Sequence, residues 1–271
     1  MSQEEAKALK ISIKAKKRFR EPRRTDRNRK RYQIQLLKVV RQVVEIAKGS
    51  ASEEDPIVRA AQISANLDAY SEKLSEWAKK VAKRMLIEAD EADYQAWLKV
   101  GKAISNQTKR LLARSSISDT FTRLQAEEVT LITSIPTEAA KKVHEWTKEG
   151  LSRGDRFDAI AKRIQGELGP VTKNRAILIA RTETARARSN FTQARARNVG
   201  SPGYYWRTVG DGRVRPRHAE LDGTFHLWTE PPICDVGKSG APIRAHPGCV
   251  FNCRCFAAPV FDDDDEIKGK K

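Results

Sequence analysis

The sequence predicts an α+β protein whose N-terminal two thirds are mostly helical and whose C-terminal end is a small strand-and-loop module. Two observations carry this prediction. Before Gly200, apolar residues recur every three or four positions, which is the period of an amphipathic helix. After Gly200, prolines, glycines and short segments such as "YYWRTV" and "GTFHLW" replace that pattern. The chain of 271 residues is long enough to bury a core without cysteine cross-links.

The first segment, residues 1–31, carries much of the positive charge. The chain has 52 Lys and Arg against 35 Asp and Glu, a net charge of +17. Residues 1–31 hold 13 basic and 4 acidic side chains, so they supply +9 of it, and they contain few apolar residues. This composition predicts a flexible arm that binds the phosphates of double-stranded DNA without sequence preference. The predicted contact residues are Lys16, Lys17, Arg18, Arg20, Arg23, Arg24, Arg27, Arg29, Lys30 and Arg31.

Residues 32–200 are predicted to form a helical body. Its first helix runs from Arg31 to Lys48, and Gly49 terminates it. Asp55 and Pro56 suit the N-cap and first position of the next helix. That helix carries the apolar stripe Leu67, Tyr70, Leu74, Trp77 and Val81. A further helical pattern contains Tyr94, Leu98 and Ile104, and "SSISD" at residues 115–119 predicts a break and a new cap.

Two prolines predict further boundaries within the helical body. Pro136 is placed just ahead of a helix capped by Thr137 that stops near Gly150 or Gly154. Asp155 is expected to cap a short helix that Gly169 and Pro170 break. The last helix is expected to begin at Thr172 and to end at Gly200.

The last helix carries a seam of small residues, Ala180, Thr184, Ala187 and Ala194, which lets another backbone approach closely. Its arginines must then lie elsewhere on the surface or in ion pairs; they are Arg181, Arg186, Arg188, Arg195 and Arg197. Glu183 can reach Arg186 at the i, i+3 spacing. A solvated basic face and a phosphate-binding face both remain open for this helix.

Residues 201–261 are predicted to form the small strand module, in which "GDGRV" and "LDGTF" favour tight hairpin turns. All four cysteines lie in it. Cys253 and Cys255 share one face of an extended strand. With Cys234 and Cys249 they predict one tetrahedral structural zinc site; His246 is the reserve ligand, and His218 and His226 are further candidates. The C-x3-C-x-C spacing lacks paired C-x2-C knuckles, so buried free thiols remain the alternative.

Catalysis is a weaker interpretation of the same residues. His218, Glu220 and Asp222 lie close in sequence, and a zinc ion with an open position could hydrolyse phosphodiesters. However, the sequence contains no H-E-x-x-H helix, glycine-rich phosphate loop or G-x-S-x-G elbow. A cysteine-rich ligand set is typical of a closed structural site. We therefore predict a protein without enzymatic activity.

The sequence predicts no contact with a membrane. No apolar run approaches the roughly 20 residues of a membrane span, and "MSQEEAKALK" lacks the apolar segment of a secretory signal. We expect a protein made in a reducing cytoplasm. Residues 262–271, "DDDDEIKGKK", are expected to form a solvated charged tail because like charges repel.

Several motifs occur in a family-specific order. They are "LITSIP" with its following helix, "IARTET", "WRTVGDGRVRPRHAELDG" and "NCRC". Over roughly residues 130–260 the sequence resembles the Mu F-like minor head proteins of tailed bacteriophages, the head morphogenesis family. The family's recurring positions correspond here to Arg181, Thr182, Glu183, Asp211, Arg215, His218, Asp222, Gly223, Cys253 and Cys255.

The resemblance implies a minor head protein that is built into the procapsid in few copies and associates with the portal protein. It also implies contact with genomic DNA during assembly, packaging or ejection, and a place inside the capsid of the virion after assembly in the host cytoplasm. The major capsid and scaffolding proteins are further candidate partners. Two alternatives remain open at this point: a zinc-dependent nuclease acting on DNA, and a nonviral nucleic-acid-binding zinc protein.

Overall fold

The computed structural model describes residues 26–50, 55–100, 110, 112 and 117–260. Four long helices come first: α1 (Asp26–Gly49), α2 (Pro56–Val100), α3 (Ser118–Arg153) and α4 (Phe157–Asn198). The elements that follow are β1 (Gly203–Arg207), α5 (Pro216–Glu220), β2 (Phe225–Leu227), β3 (Ile233–Val236), β4 (Pro242–Arg244) and β5 (Phe256–Pro259). The α+β prediction is confirmed. None of the described helices is both long and apolar enough to cross a bilayer.

The chain divides into two compact units. The helical unit consists of residues 26–86 and 123–181. The motif unit consists of the described parts of residues 87–122 and 182–271. The predicted boundary between residues 200 and 201 therefore falls inside the motif unit, because the second half of α4 belongs with the strands.

Helix α1 begins earlier than predicted, so the last six residues of the predicted arm, 26–31, are helical. Asn28 is buried and its amide donates to the Met85 carbonyl, 3.2 Å away. Tyr32 is buried as well, and its hydroxyl donates to the Glu128 carboxylate at 2.7 Å. These contacts hold the start of α1 in the helical unit, because buried polar groups need hydrogen-bond partners.

Helix α2 begins as predicted. The Asp55 carboxylate accepts a hydrogen bond from the Ile57 amide at 2.7 Å, which is the interaction of an N-cap. Leu67 and Leu74 of the predicted stripe are buried. Trp77 and Val81 are only partly buried, because the buried face continues through Ala78 and Ala82 instead. Ile104 lies outside the described residues.

The helix boundaries predicted at the two prolines are wrong. Pro136 lies inside α3, so no helix begins at Thr137. Pro170 lies inside α4, so Gly169 does not break that helix and Thr172 does not begin one. The predicted ends are confirmed: α3 ends at Arg153 and α4 at Asn198, and the glycines that follow, Gly154 and Gly200, have positive φ.

Proline removes one backbone hydrogen bond from a helix, and both helices continue through their proline. In α3 the carbonyl that loses its donor belongs to Ile132, and Ile132, Ile135 and Pro136 are all buried in the core, so packing offsets the lost hydrogen bond. In α4 the carbonyl that loses its donor belongs to Gly166, which is exposed and open to water. The cost of each proline is thereby reduced and the helix continues.

The strands of the motif unit form two small antiparallel sheets. One has the order β2-β1-β5, and the other pairs β3 with β4 across an irregularity between Ile233 and Asp235. Residues from three parts of the chain share one core, in which Trp97 of α2, Ala196 of α4 and Trp206 of β1 are fully buried. This core also contains three of the four cysteines, Cys234, Cys253 and Cys255.

Candidate metal centre

The second half of α4 packs against the loop of residues 245–255, which contains Cys249, Cys253 and Cys255 and is called the cysteine loop below. Gly248 approaches this helix so closely that a Cβ on it would lie 3.3 Å from the Ser189 Cβ and 3.5 Å from the Ala185 carbonyl. The Ser189 hydroxyl donates to the Pro247 carbonyl at 2.7 Å. A close backbone approach is therefore present between α4 and residues 247–248, but it lies on the face of Ala185 and Ser189 and not on the predicted seam.

The "RTE" motif of α4 holds the same loop at a second point. Thr182 is buried, and its hydroxyl accepts a hydrogen bond from the Asn252 amide at 3.3 Å. Asn252 has a φ of 56°, a conformation that Asn tolerates better than most residues. Glu183 is also buried and lies 2.6 Å from the Arg186 guanidinium, the predicted i, i+3 pair. Arg181 is exposed.

Three potential ligands converge at the end of this loop. His218 of α5, Cys253 and Cys255 are buried, and their ligand atoms all lie within 4.8 Å of one another. We call these three residues the converging group. The His218 Nδ1 lies 3.6 Å from the Cys253 Sγ and 3.4 Å from the Cys255 Sγ. The His218 ring packs edge-on against Trp206, with 5.3 Å between the ring centroids, which fixes its orientation.

The other cysteines of the predicted zinc site have different surroundings. Cys234 in β3 is completely buried, and its thiol donates weakly, at 3.6 Å, to the Ile243 carbonyl. Cys249 is half-buried, and its thiol donates to the Ser189 hydroxyl at 3.5 Å. Neither sulfur belongs to the group within 4.8 Å that the described residues form.

The reserve ligand His246 has hydrogen bonds at both ring nitrogens. Its Nε2 lies 2.9 Å from the Gln193 amide nitrogen, and its Nδ1 lies 2.9 Å from the Tyr204 hydroxyl. Burial, with the nearby Arg197 and His226, lowers the pKa of His246 to about 4, so the ring is neutral at pH 7. His226 lies 2.7 Å from the Thr224 hydroxyl through its Nε2.

The protonation of the converging group follows from its contacts. Burial alone lowers the pKa of His218, but interactions with Cys234 and Cys253 raise it to about 9. The hydrogen bond from Cys255, together with His218, lowers the pKa of Cys253 to about 4. The Cys253 contact and burial raise the pKa of Cys255. Without a metal, the site therefore holds a buried thiolate beside an imidazolium.

The group suits a soft divalent metal. Zn–S bonds of about 2.3 Å and Zn–N bonds of about 2.0 Å at tetrahedral angles separate sulfur from nitrogen by about 3.5 Å. The two S···N distances at His218, 3.4 and 3.6 Å, have this length. The His218 Nε2 is buried without a hydrogen-bond partner among the described atoms, so a hydrogen bond at that nitrogen does not account for the ring's position.

A shallow pocket opens beside the group. Its volume is about 100 Å³, and it is lined by Val209, Arg213, Val214, Arg215, His218, Asn252, Cys253, Arg254 and Cys255. All three of these arginines make contacts within the protein. Arg213 lies 3.5 Å from the Asp211 carboxylate. Arg254 forms a two-pronged ion pair with Asp211, which holds the pKa of that carboxyl well below its usual range. Arg215 donates to the Phe251 carbonyl at 2.8 Å.

The remaining motif positions shape the segment that carries His218. The Asp222 carboxylate accepts a hydrogen bond from the Thr208 amide at 2.8 Å. Gly223 has a φ of 79°, and its amide donates to the Trp206 carbonyl at 2.8 Å. The predicted tight hairpins are wrong, because α5 lies between the paired strands β1 and β2. This longer connection places His218 over the sheet.

The structure settles part of the question about the arginines of α4. Arg195 is buried in ion pairs with Asp90 and Asp93 of α2. Arg197 donates to the Trp228 carbonyl at 2.6 Å. Together with the Arg186 pair, these contacts favour a structural role over phosphate binding for three of the five. Asp93 was not predicted as a partner, because no local pattern connects it with Arg195, 102 residues away.

The predicted DNA-contact residues divide between two parts of the chain. Lys16, Lys17, Arg18, Arg20, Arg23 and Arg24 lie outside the described residues. Arg27, Arg29, Lys30 and Arg31 lie in the first two turns of α1. There Arg27, Lys30 and Arg31 are exposed and Arg29 is half-buried.

Comparison with known proteins matches this part of the chain to one family. Residues 141–258 match the family described as phage Mu protein F like protein. An uncharacterized protein of Haemophilus influenzae is 33% identical over 180 residues, which cover 65% of this chain and 38% of that protein. The chain thus spans less than half the length of this relative. No solved structure is significantly similar to this chain. Residues 141–258 of the chain are therefore similar to the phage Mu protein F-like family.

Proposed function

We propose that this chain is a minor head protein of a tailed bacteriophage and acts in head morphogenesis without enzymatic activity of its own. The observation that carries the proposal is the match of residues 141–258 to the Mu F-like family. Its site of action is then the host cytoplasm during assembly and the capsid interior in the virion. The portal protein is its main partner, and the major capsid and scaffolding proteins are further candidates.

The contacts of the motif residues support a role other than catalysis. Thr182 and Asp222 accept backbone hydrogen bonds, and Asp211 is bound by Arg254. Each of these groups therefore fixes a loop of the motif unit. The three converging ligands are buried, which is typical of a structural centre. A rigid unit of this kind suits docking on another protein.

The charge of the chain supports a DNA contact. Residues 1–25 carry nine basic and three acidic side chains, a net charge of +6, and α1 adds four basic residues in its first six positions. A net charge of +17 attracts a polyanion over long distances. We propose that this contact is nonspecific and is made through phosphates, because charge alone carries no base readout.

The experiment that tests the proposal is coexpression with the portal protein of the same phage, followed by pull-down of full-length and arm-deleted protein. The deletion removes residues 1–25 and stops before α1, because Asn28 and Tyr32 are buried in the helical unit. We expect the portal to retain both proteins at physiological salt. Recruitment that is lost on deletion, or that survives only at low salt, would show charge adhesion instead of docking.

The same preparations discriminate against the nuclease alternative. Full-length protein is incubated with plasmid DNA and Zn²⁺ or Mg²⁺, and the plasmid is analysed for nicking. We expect intact plasmid. Metal-dependent cleavage that is lost in the variant His218→Ala would contradict the nonenzymatic assignment and favour a nuclease at the converging group.

A further inference from the structure

The converging group identifies three ligands of a metal site more directly than the cysteine spacing does. In His218, Cys253 and Cys255, one nitrogen and two sulfurs lie within 4.8 Å of one another in a buried position. Both sulfurs lie near the same ring nitrogen of His218, its Nδ1. A cation between the three atoms would satisfy all of them, and the S···N distances of 3.4 and 3.6 Å leave the space that a tetrahedral zinc ion requires.

The fourth ligand is determined by comparing the remaining candidates. Cys234 is completely buried and lies in the same core as Cys253 and Cys255. Its one hydrogen bond, 3.6 Å to the Ile243 carbonyl, is long. Cys249 is hydrogen-bonded to Ser189 on α4, and His246 uses both ring nitrogens for other contacts. Cys234 is therefore the donor that can join the group with the least rearrangement.

We propose that His218, Cys234, Cys253 and Cys255 bind one structural zinc ion through three thiolates and one imidazole nitrogen. Cys249 and His246 are not ligands. The soft sulfur donors select zinc over magnesium or calcium. Binding displaces the remaining thiol protons and the imidazolium proton, which pass to solvent, because only the deprotonated groups coordinate the metal. This site does not depend on the head-protein function proposed above.

The site would connect three separate segments of the motif unit. His218 comes from α5, Cys234 from β3, and Cys253 and Cys255 from the segment before β5. These elements are short, between three and five residues for α5 and the strands. A bound metal would therefore contribute directly to the stability of the motif unit, as structural zinc does in other small modules.

The first test uses full-length wild-type protein purified without chelator. Elemental analysis should find one zinc per chain, and X-ray absorption at the zinc edge should give three sulfur neighbours and one nitrogen neighbour. Four sulfurs would restore the four-cysteine site and overturn our ligand set. Protein that contains no metal and takes up no added zinc would overturn the site altogether and leave a buried thiol core.

The second test compares two matched cysteine variants after cobalt(II) is substituted for zinc. The thiolate-to-cobalt charge-transfer band scales with the number of thiolates. Cys249→Ser should leave it unchanged, whereas Cys234→Ser should lower it by about one third, from three thiolates to two. A loss in Cys249→Ser, or none in Cys234→Ser, would overturn the assignment. If Cys234→Ser does not fold, the Cys249→Ser spectrum and the sulfur count of the wild-type protein decide.

Discussion

Asp93 is a buried carboxylate whose stability contribution depends on pH. Only 1% of it is exposed, and it accepts hydrogen bonds from Thr192 and Arg195. Arg195 also forms an ion pair with Asp90, and Arg188 adds a more distant positive charge. Burial raises the pKa of Asp93 from 3.8 to about 6, although the two arginines and Thr192 lower it. The desolvation of the carboxylate outweighs its ion pair.

This pKa predicts how the stability of the protein changes with pH. Because the folded pKa of Asp93 lies above the unfolded value, folded protein binds the proton more tightly. The stabilisation of the folded protein that this proton provides is complete below the unfolded pKa and is lost as the pH rises through about 6. We expect wild-type protein to lose up to about 3 kcal/mol relative to Asp93→Asn between pH 4 and pH 7.

Urea unfolding of the two proteins at several pH values checks this expectation. Asp93→Asn keeps the shape of the side chain but cannot titrate, so the difference between the two curves isolates Asp93. If that difference instead favours the wild-type protein as the pH rises, the ion pair with Arg195 outweighs burial.

Gly248 tests the docking of the cysteine loop on α4. Its φ is 87°, and a Cβ there would lie 3.3 Å from both the Ser189 Cβ and the Cys255 carbonyl. Gly240 has a similar φ of 81° but open space around it. Gly248→Ala should therefore destabilise the protein by more than Gly240→Ala, which costs about 1 kcal/mol through backbone strain alone. Thermal unfolding measures both, and equal losses would show that the loop does not pack against α4.

The proposed ligands show what sequence spacing can reveal at the residue scale. The cysteine cluster predicts a metal site, because four soft donors lie within 22 positions, 234–255. Spacing cannot show which sulfurs converge. Cys249 is only four positions from Cys253, yet its thiol is hydrogen-bonded to the Ser189 hydroxyl. His218 appeared among the motif positions, and only the fold brings its nitrogen to Cys253 and Cys255.

At the scale of elements, propensity identifies the helices but overstates their interruptions. The cap at Asp55 and the ends after Arg153 and Asn198 are local features, and their prediction is confirmed. The breaks at Pro136 and Pro170 are wrong, because the effect of a proline depends on what offsets the lost hydrogen bond. The burial of Pro136 in the core of its unit cannot be seen in the local sequence.

Pro170 gives a direct test of the continuity of α4. It is exposed within the helix, and the Gly166 carbonyl has no amide donor at that position. Pro170→Ala restores the donor and should stabilise the protein by about 1 to 3 kcal/mol. Gly166→Ala, in open space four residues earlier, should gain about 1 kcal/mol from helix propensity and serves as the control.

Chemical denaturation measures both variants of α4. A gain in both would agree with one helix through residues 157–198. If Gly166→Ala stabilises the protein and Pro170→Ala destabilises it, the proline occupies a turn, and the break expected from the sequence exists after all.

At the scale of the whole molecule, the sequence predicts the order of helices and strands but not the division into units. Helices α2, α3 and α4 each contribute to both units. A change in composition, such as the one at Gly200, marks where helical residues give way to strands. It does not mark which segments share a core. Trp97 and Trp206 lie in the same core although more than 100 residues separate them in the sequence.

The net charge predicts the behaviour of the whole chain toward DNA. Binding to duplex DNA should weaken steeply with salt, because each neutralised phosphate contributes about 0.9 to the slope of log K against log salt. Deleting residues 1–25 removes nine basic side chains and should flatten this slope while the rest of the chain still folds. Titrations at several salt concentrations measure it. An unchanged slope would place the contact on another basic surface, with the exposed residues of α1 as the first candidates.

Cosedimentation with procapsids tests whether the chain is a head protein that docks on the portal. Procapsids of the same phage are assembled with and without the portal protein, in the presence of full-length protein or protein lacking residues 1–25. We expect both proteins to sediment with portal-containing procapsids at physiological salt and neither to sediment with portal-free shells. Arm-deleted protein that stays in the supernatant, or equal binding to shells without the portal, would contradict a head protein that docks on the portal through its folded units.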